Sequence, residues 1–246
     1  MPSVLTANKY PIDSLTFGKH KPNANSGYNI EINLGDTTNE ILLQTPKMRC
    51  PFGVSTDKTN PFKKTLDLSF QGIESNPSMK SFRDIVEKVD AMTIDYALAN
   101  SKAFFKKELS REVLKENYYS GIKQSKKEQY SDTFKCKILF KKPDVEKGIP
   151  DGKYITSFWN TKGDEQPYTH LDKGDYATCL IKPQMLWVAN RSFGISWVCT
   201  QVRVHKQQKT TGCSFVKTED DIESESEEEI VEVEESEEEV EVEVDN

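Results

Sequence analysis

The last 28 residues, 219–246, contain 17 acidic side chains and no Lys or Arg. Such a segment cannot fold on itself, because the carboxylates repel one another and the isolated Val and Ile side chains bury too little apolar surface. The sequence therefore predicts a disordered acidic tail over 219–246 and confines any hydrophobic core to residues 1–218. Those residues carry all 33 Lys and Arg against 23 Asp and Glu, a net charge of +10, although the whole chain has −7.

The spacing of apolar residues indicates that this basic body is mainly β. Apolar and polar residues alternate with a period of two, as in half-buried strands, over 28–34, 66–70, 134–140 and 193–199. The last alternation slips phase before Val202, which predicts a bulge in a long strand. A helical spacing of i, i+3, i+4 and i+7 begins at Phe82. We therefore predict an OB-like small β-barrel with a helical insertion at about 77–120, although periodicity leaves other β architectures open.

Composition sets the expected domain limits. Residues 1–26 are rich in Pro, Asn, Ser and Lys, which predicts a flexible N-terminal segment. The length of the remainder suits one domain, so we expect a single OB-like unit over 27–218. No apolar run approaches the ~20 residues of a membrane-spanning helix, and the first residues lack a secretory pattern. The protein is therefore expected to be soluble and intracellular, without contact to a membrane.

The residues that usually carry catalysis or bind metals are scattered. The five cysteines lie far apart and show no zinc-binding spacing, and the three histidines are dispersed. His170 has Asp172 nearby, but no nucleophile motif accompanies the pair. Nucleotide-binding glycine loops and the HExxH motif are also missing from the sequence. We therefore expect no metal, no cofactor and no enzymatic activity.

Exposed cations and large aromatic rings are mixed on the predicted strands. The apolar side chains of 134–140 face one way, so Lys135 and Lys137 must face the other. Single-stranded nucleic acid requires this mixture, because cations follow its phosphates and aromatic rings stack on its unpaired bases. The predicted phosphate contacts are Lys47, Arg49, Lys63, Lys64, Lys135, Lys137 and Arg191. The predicted stacking residues are Tyr154, Phe158, Trp159 and Trp187.

Core packing is the alternative role for each aromatic ring. Phe193 and Trp197 lie on the strongest apolar alternation, which favours the core for both. Phe158 and Trp159 are adjacent, so they face opposite sides of a strand and one of them is expected to be exposed. For Trp187 the two roles are evenly balanced.

The acidic tail has two interpretations. It is either a solubilising end or an electrostatic mimic of a nucleic-acid strand. A polyanion tethered to a basic body has a high effective concentration near any anion-binding groove. There it would compete with phosphates, and it would also offer basic partner proteins a docking segment.

Three segments carry a family resemblance, namely 43–54, 65–70 and 154–159. They are similar to OB-fold single-stranded DNA-binding proteins of nucleocytoplasmic large DNA viruses. These viral proteins are related to the acidic-tailed, replicative single-stranded DNA-binding protein of certain tailed phages. The order of elements is also similar, with a helix between barrel strands and an acidic C-terminus. The phage tail ends in an aromatic residue, whereas this chain ends Val244-Asp245-Asn246. Docking of partners through a terminal aromatic ring is therefore not implied.

The resemblance implies a non-enzymatic protein that coats single-stranded DNA during viral DNA replication, recombination or repair, in the cytoplasm or nucleus of the host cell. Residues 27–218 would then be the nucleic-acid-binding domain, and the tail would recruit replication or recombination proteins. Members of the group are often homodimers, a property on which the sequence itself is silent. Two alternatives remain open: an acidic-tailed, chaperone-like interaction protein and a structural protein of the virion.

Overall fold

A computed structural model describes residues 2–23, 27–35, 40–141, 143, 144, 146 and 152–207. By its contacts the chain divides into one unit over Met1–Gln207 and a second over Gln208–Asn246. Everything described belongs to the first unit. The predicted disordered tail over 219–246 lies outside the described residues.

The described unit is built from strands, with three helices in its middle. The strands are β1 Ser3–Thr6, β2 Leu15–Pro22, β3 Tyr28–Leu34, β4 Ile41–Gln44, β5 Met48–Arg49, β6 Val54–Thr56, β7 Lys64–Ser69, β8 Tyr118–Tyr119, β9 Ile122–Lys123, β10 Thr133–Ile138, β11 Phe140–Lys141, β12 Lys153–Tyr154, β13 Ser157–Trp159, β14 Glu165–Gln166, β15 Tyr176–Ala189 and β16 Ser192–His205. The helices are α1 Pro77–Ala99, α2 Ser101–Phe105 and α3 Arg111–Glu116.

Five strands close into a barrel in the order β5, β7, β10, β16 and β15. Neighbours in this ring are antiparallel, except for β10 and β16, which are parallel at Lys137↔Val198. The ring closes where Met48 of β5 pairs with Ala177 of β15. A parallel pair inside a five-stranded ring requires a Greek-key path, the arrangement of an OB barrel. The predicted mainly-β barrel with a helical insertion is therefore confirmed.

The long hairpin of β15 and β16 is bent by two irregularities. The first lies between Leu180 and Ile181. Leu180 pairs with Gln201, whereas the next residue, Ile181, pairs with Cys199. Thr200 is therefore the extra residue of a bulge, which keeps both Cys199 and Val202 buried. The bulge predicted from the phase slip before Val202 is confirmed.

The helical insertion packs its apolar side against the barrel core. The Asn76 side chain caps α1 by accepting a hydrogen bond from the Met79 amide, and Pro77 occupies the first helical position. Phe82 is fully buried, and its ring centroid lies 5.1 Å from that of Phe134 and 6.0 Å from that of Phe70. The helix therefore joins the core formed by β7 and β10.

The prediction of a flexible N-terminal segment over 1–26 is wrong for the described residues 2–23. Strand β1 pairs with β4, and β2 pairs with β3 along its length. Tyr10, Ile12 and Leu15 are each only 5% exposed. Composition misled here, because backbone pairing does not depend on side-chain polarity and three well-spaced apolar residues are enough to anchor the segment.

Candidate nucleic-acid interface

The paired strands β7 and β10 direct one side-chain set to the core and the other to the outer side of the sheet, where Asp67 and Ser69 are themselves buried. Their register runs from Ser69↔Thr133 at one end to Lys64↔Ile138 at the other. The outward positions, called here the β7–β10 face, are Thr65, Asp67, Ser69, Thr133, Lys135 and Lys137. Because side chains alternate along a strand, the burial of Leu66 and Phe134 fixes this outward set.

A carboxylate lies in the middle of the face but is nearly covered. Asp67 is 5% exposed and lies 3.8 Å from the Lys135 ammonium. Burial raises the pKa of the Asp67 carboxyl, and the positive charges of Lys135 and Lys123 oppose that rise. The buried acid is therefore surrounded by cations, which leaves the outer surface of the face positive.

The positive charge continues toward the Lys64 end of β7. The Lys137 ammonium donates a hydrogen bond of 2.8 Å to the Ser196 hydroxyl. Burial lowers the pKa of Lys137, and the positive charge of Lys63 lowers it further. Lys63 itself pairs with Asp57 at 3.2 Å. Asp57 thus balances Lys63, and Lys137 is the cation at this end of the face whose charge an anion would stabilise.

A groove of about 990 Å³ opens at the other end of the face, beside Ser69 and Thr133. Its lining residues are Arg49, Pro51, Phe52, Ser69, Gln71, Lys123, Gln124, Ser125, Lys126, Lys127, Gln129, Tyr130, Ser131 and Thr133. Among these described lining residues there are four cations and no Asp or Glu. Within the described part of the chain, none of the four cations forms an ion pair. The groove is therefore a site of unbalanced positive charge.

Two aromatic rings project into this groove from loops. Phe52 is 55% exposed and Tyr130 is 62% exposed, although rings of this size are usually covered. Phe52 lies in a turn whose next residue, Gly53, has a φ of +61°, a conformation that favours glycine. The Tyr130 loop is held by Asp132, which accepts a hydrogen bond from the Ser125 amide. Both rings are thus presented by defined turns.

A second aromatic group, the β11–β12 cluster, lies at the Lys64 end of the β7–β10 face. It consists of Phe62, Phe140, Tyr154 and Tyr168. Ring centroids are 5.9 Å apart for Phe62 and Phe140, 4.7 Å for Phe140 and Tyr154, and 4.5 Å for Tyr154 and Tyr168. The Lys64 ammonium lies 5.3 Å from the centre of the Tyr168 ring. In this cluster the rings and the lysine are engaged with one another, unlike the exposed rings of the groove.

The sequence of residues 70–215 matches a family described as a family of unknown function (DUF5871). This match covers more than half of the 246 residues. The chain belongs to this family. Within DUF5871 the match includes β10 and the groove residues from Gln71 to Thr133, while Arg49 and Phe52 precede it. No curated protein matches the sequence significantly.

Solved structures from two phages are similar to this DUF5871 member. The single-stranded DNA-binding protein gp2.5 of bacteriophage T7 is 15% identical over 72% of this chain and 98% of its own, with a TM-score of 0.44. The C-terminally truncated single-stranded DNA-binding protein of bacteriophage Enc34 is 12% identical over 80% of this chain and 98% of its own, with a TM-score of 0.41. The Enc34 protein in complex with ssDNA is 13% identical over 78% of this chain and 97% of its own, with a TM-score of 0.38. At such TM-scores the similarity carries no functional conclusion.

Two general features of the DUF5871 member bear on the site. Among the described residues, no helix has the length and apolarity needed to cross a membrane. Within the same residues, no three His, Cys, Asp or Glu side chains gather in a way that could hold a metal ion.

The structure brings together part of the predicted site. The residues on the β7–β10 face or at its two ends are Arg49, Lys63, Lys64, Lys135, Lys137 and Tyr154. Lys47, Trp159, Trp187 and Arg191 lie elsewhere. Lys47 lies over the Tyr176 ring, at 5.3 Å from its centre. Trp187 packs against Tyr119 with centroids 5.7 Å apart, and Arg191 is exposed in the turn between β15 and β16.

The prediction of Phe158 as a stacking residue is wrong. Its side chain is 2% exposed and belongs to the core, beside Val202 in the pairing of β13 with β16. Trp159, the next residue, is consequently half-buried on the outer side. Two adjacent strand residues must face opposite ways, and the sequence could not tell which of them faced inward.

Five groove residues were missed by the sequence reasoning: Phe52, Lys123, Lys126, Lys127 and Tyr130. All but Lys123 lie outside the strands, where no periodicity marks an exposed side chain. A usable signal was present in the segment 123–130, which combines three lysines, one glutamate, uncharged polar residues and a terminal tyrosine.

Proposed function

We propose that this protein binds single-stranded DNA with little sequence preference, in the groove and across the β7–β10 face. The observation that supports this proposal best is the composition of the groove. It combines two exposed rings with four cations that have no ion-pair partner in the described residues, and its lining contains no acid. Cations beside free aromatic faces are what a single strand needs from a binding surface.

The cations of the groove suit phosphates. Binding a phosphate here breaks no ion pair of the described structure, and it releases condensed counterions from the nucleic acid. Lys135 and Lys63 already face Asp67 and Asp57, so each is expected to contribute less. The proposed phosphate contacts are Arg49, Lys123, Lys126 and Lys127, continued along the face by Lys63, Lys64, Lys135 and Lys137.

The exposed rings suit unpaired bases. In a duplex both faces of each base are already stacked, so Phe52 and Tyr130 could reach a base only by disrupting the duplex. A single strand offers free faces, and each stacking contact is worth roughly 1–3 kcal/mol whatever the base. We therefore expect single strands to bind more tightly than duplexes. Tyr154 is the proposed ring at the far end of the face. The activity is binding without catalysis, and it needs no cofactor.

The decisive experiment compares Tyr130→Ala with a matched control. Tyr119 is as exposed as Tyr130, 61% against 62%, but does not line the groove, so Tyr119→Ala is the control. Affinity for oligo-dT and for a duplex of equal length would be measured by fluorescence anisotropy. We expect Tyr130→Ala to weaken oligo-dT binding about fivefold or more and Tyr119→Ala to leave it unchanged. Equal affinity for single strand and duplex, or no binding at low salt, would refute the proposal.

We further propose that the protein acts in viral DNA replication, recombination or repair and that the acidic residues 219–246 compete with DNA for the cations. The charge of the sequence supports this competition, since +10 and −17 occur in one chain. A variant ending at residue 218 should bind oligo-dT more tightly than the full chain at low salt. If the two bind alike, the tail has another role. Binding of a basic protein partner by the tail, with no preference of the body for single strands, would favour the chaperone-like alternative.

A further inference from the structure

A second concave surface lies outside the β7–β10 face. It is a trough of about 330 Å³, lined by Val4, Gln44, Trp159, Gly163, Thr178, Leu180, Gln201 and Arg203. None of these residues lines the groove. The trough therefore requires its own explanation.

Five neighbouring strands build the trough from their outward side chains. Val4 comes from β1, Gln44 from β4, and Trp159 from β13. In the middle, Thr178 of β15 pairs with Arg203 of β16, which pairs in turn with Trp159. A surface formed by adjacent paired strands holds its side chains in fixed register, so the trough is rigidly arranged.

The indole of Trp159 is held in place. Its Nε1 donates a hydrogen bond of 2.9 Å to the hydroxyl of Ser157, two residues earlier on the same strand. The side chain is half-buried, so one part of the ring is supported by protein and another part faces the trough. A ring that is already oriented loses little entropy when a flat group stacks on it.

The trough has a positive edge. Arg203 is exposed and, among the residues that the structure describes, takes part in no ion pair. Lys47 also has no ion-pair partner there, and it lies over the ring of Tyr176, which is on the same face of β15 as the trough residue Thr178. Burial lowers the pKa of His205, and the charges of Lys47 and Arg203 both lower it further, which shows that the two cations act on the same place. An anion beside Arg203 would relieve this repulsion.

We propose that the trough binds one nucleotide unit of a single strand, as a second contact separate from the groove. Trp159 stacks on the base, Arg203 contacts the phosphate with Lys47 nearby, and the amides of Gln44 and Gln201 offer donors and acceptors to the edge of the base. This inference rests on the proposed function. It assigns a common task to Lys47 and Trp159, which lie away from the β7–β10 face. A bound strand then contacts two surfaces of the same barrel.

Photo-cross-linking tests this inference on the full-length protein. The probe is a thymidine oligonucleotide of about 30 nucleotides, longer than one OB fold usually covers, with 5-bromodeoxyuridine at several positions. Cross-linked residues would be mapped by mass spectrometry. We expect cross-links at Trp159 in addition to those at Phe52 or Tyr130. Arg203→Ala should remove the Trp159 cross-link and keep those of the groove. The matched control is Lys102→Ala, which removes one exposed positive charge that lines neither the trough nor the groove.

Affinity gives a second measurement that does not depend on cross-linking. Trp159→Ala should weaken binding of the long oligonucleotide about fivefold or more, while an oligonucleotide of about 4 nucleotides, which the groove alone can hold, should lose nothing. Persistence of the Trp159 cross-link in the presence of excess dTMP identifies a strand segment as the occupant. If excess dTMP abolishes the Trp159 cross-link while the affinity for the oligonucleotide stays unchanged, the trough binds a free nucleotide and the proposed strand segment is wrong.

The two proposals fail in different ways. Cross-links in the groove without any at Trp159, together with unchanged affinity of Trp159→Ala and Arg203→Ala, would overturn the trough and leave the proposed function intact. An absence of oligonucleotide binding by the full chain and by the variant ending at residue 218 would overturn both.

Discussion

The charge of the groove leads to a quantitative prediction about salt. Replacing Lys126 and Lys127 by alanine removes two of the four cations that line it. For a single strand, the slope of log affinity against log salt concentration is about −0.7 for each phosphate neutralised. The four groove cations therefore account for about −2.8 of the slope, and over a fourfold rise in salt their share of the loss of affinity is about 50-fold. The double variant should make the slope shallower by about 1.4, so the same rise in salt should weaken its binding about sevenfold less than that of the unaltered protein.

The assay is a titration of labelled oligo-dT by the protein at four or more salt concentrations. Lys102→Ala combined with Lys115→Ala is the matched control, because both lysines are exposed, lie on helices and do not line the groove. The control should change the slope little while altering the net charge by the same amount. If both double variants change the slope equally, net charge and not the groove governs binding. If neither changes it, the assignment of Lys126 and Lys127 to phosphates is wrong.

Two further predictions concern stability. Burial raises the pKa of the Asp90 carboxyl to about 6, against hydrogen bonds from Tyr118 and Ser120 that lower it. Since this pKa lies above the unfolded value, the stabilisation is full below about pH 4 and is lost as pH rises through about 6, a change of about 3 kcal/mol. Urea unfolding of Asp90→Asn should lack this part of the pH dependence, and an unchanged profile would contradict the assignment. Phe158→Ala should lower the free energy of unfolding by about 3–5 kcal/mol because it empties a core site. Trp159→Ala should lower the free energy of unfolding clearly less than Phe158→Ala does. Equal decreases for the two variants would place both rings in the core.

Strands with several alternating residues could be predicted from the sequence, and so could the side chains on them. Over β10 the alternation is long enough to place Lys135 and Lys137 outside, as the structure has them. In β13 only three residues are paired, so the alternation could not decide between Phe158 and Trp159. Which strand pairs with which depends on residues far apart in the sequence. The parallel pairing of β10 with β16, and the entry of β1 and β2 into the sheet, therefore left no local signal.

The residues of the proposed binding surface follow the same division. Cations on regular strands were foreseen, whereas Phe52 and Tyr130 come from turns that bring them to one groove only after the barrel closes. Their exposure is a property of the folded chain. The residues that flank a large ring in a loop do not indicate whether the ring packs into the core or faces solvent.

The closure of the barrel has a consequence for its dynamics. Strand β5 joins β7 through one residue pair, Arg49↔Ser69, whereas β7 joins β10 through six. Local opening begins where the fewest backbone hydrogen bonds hold two strands together, so the amides around Arg49 should exchange with deuterium sooner than those of β10. Arg49 and Ser69 also line the groove. A strand of nucleic acid lying across them would bridge the weakest seam of the barrel, and slower deuterium uptake at this seam would report its occupancy.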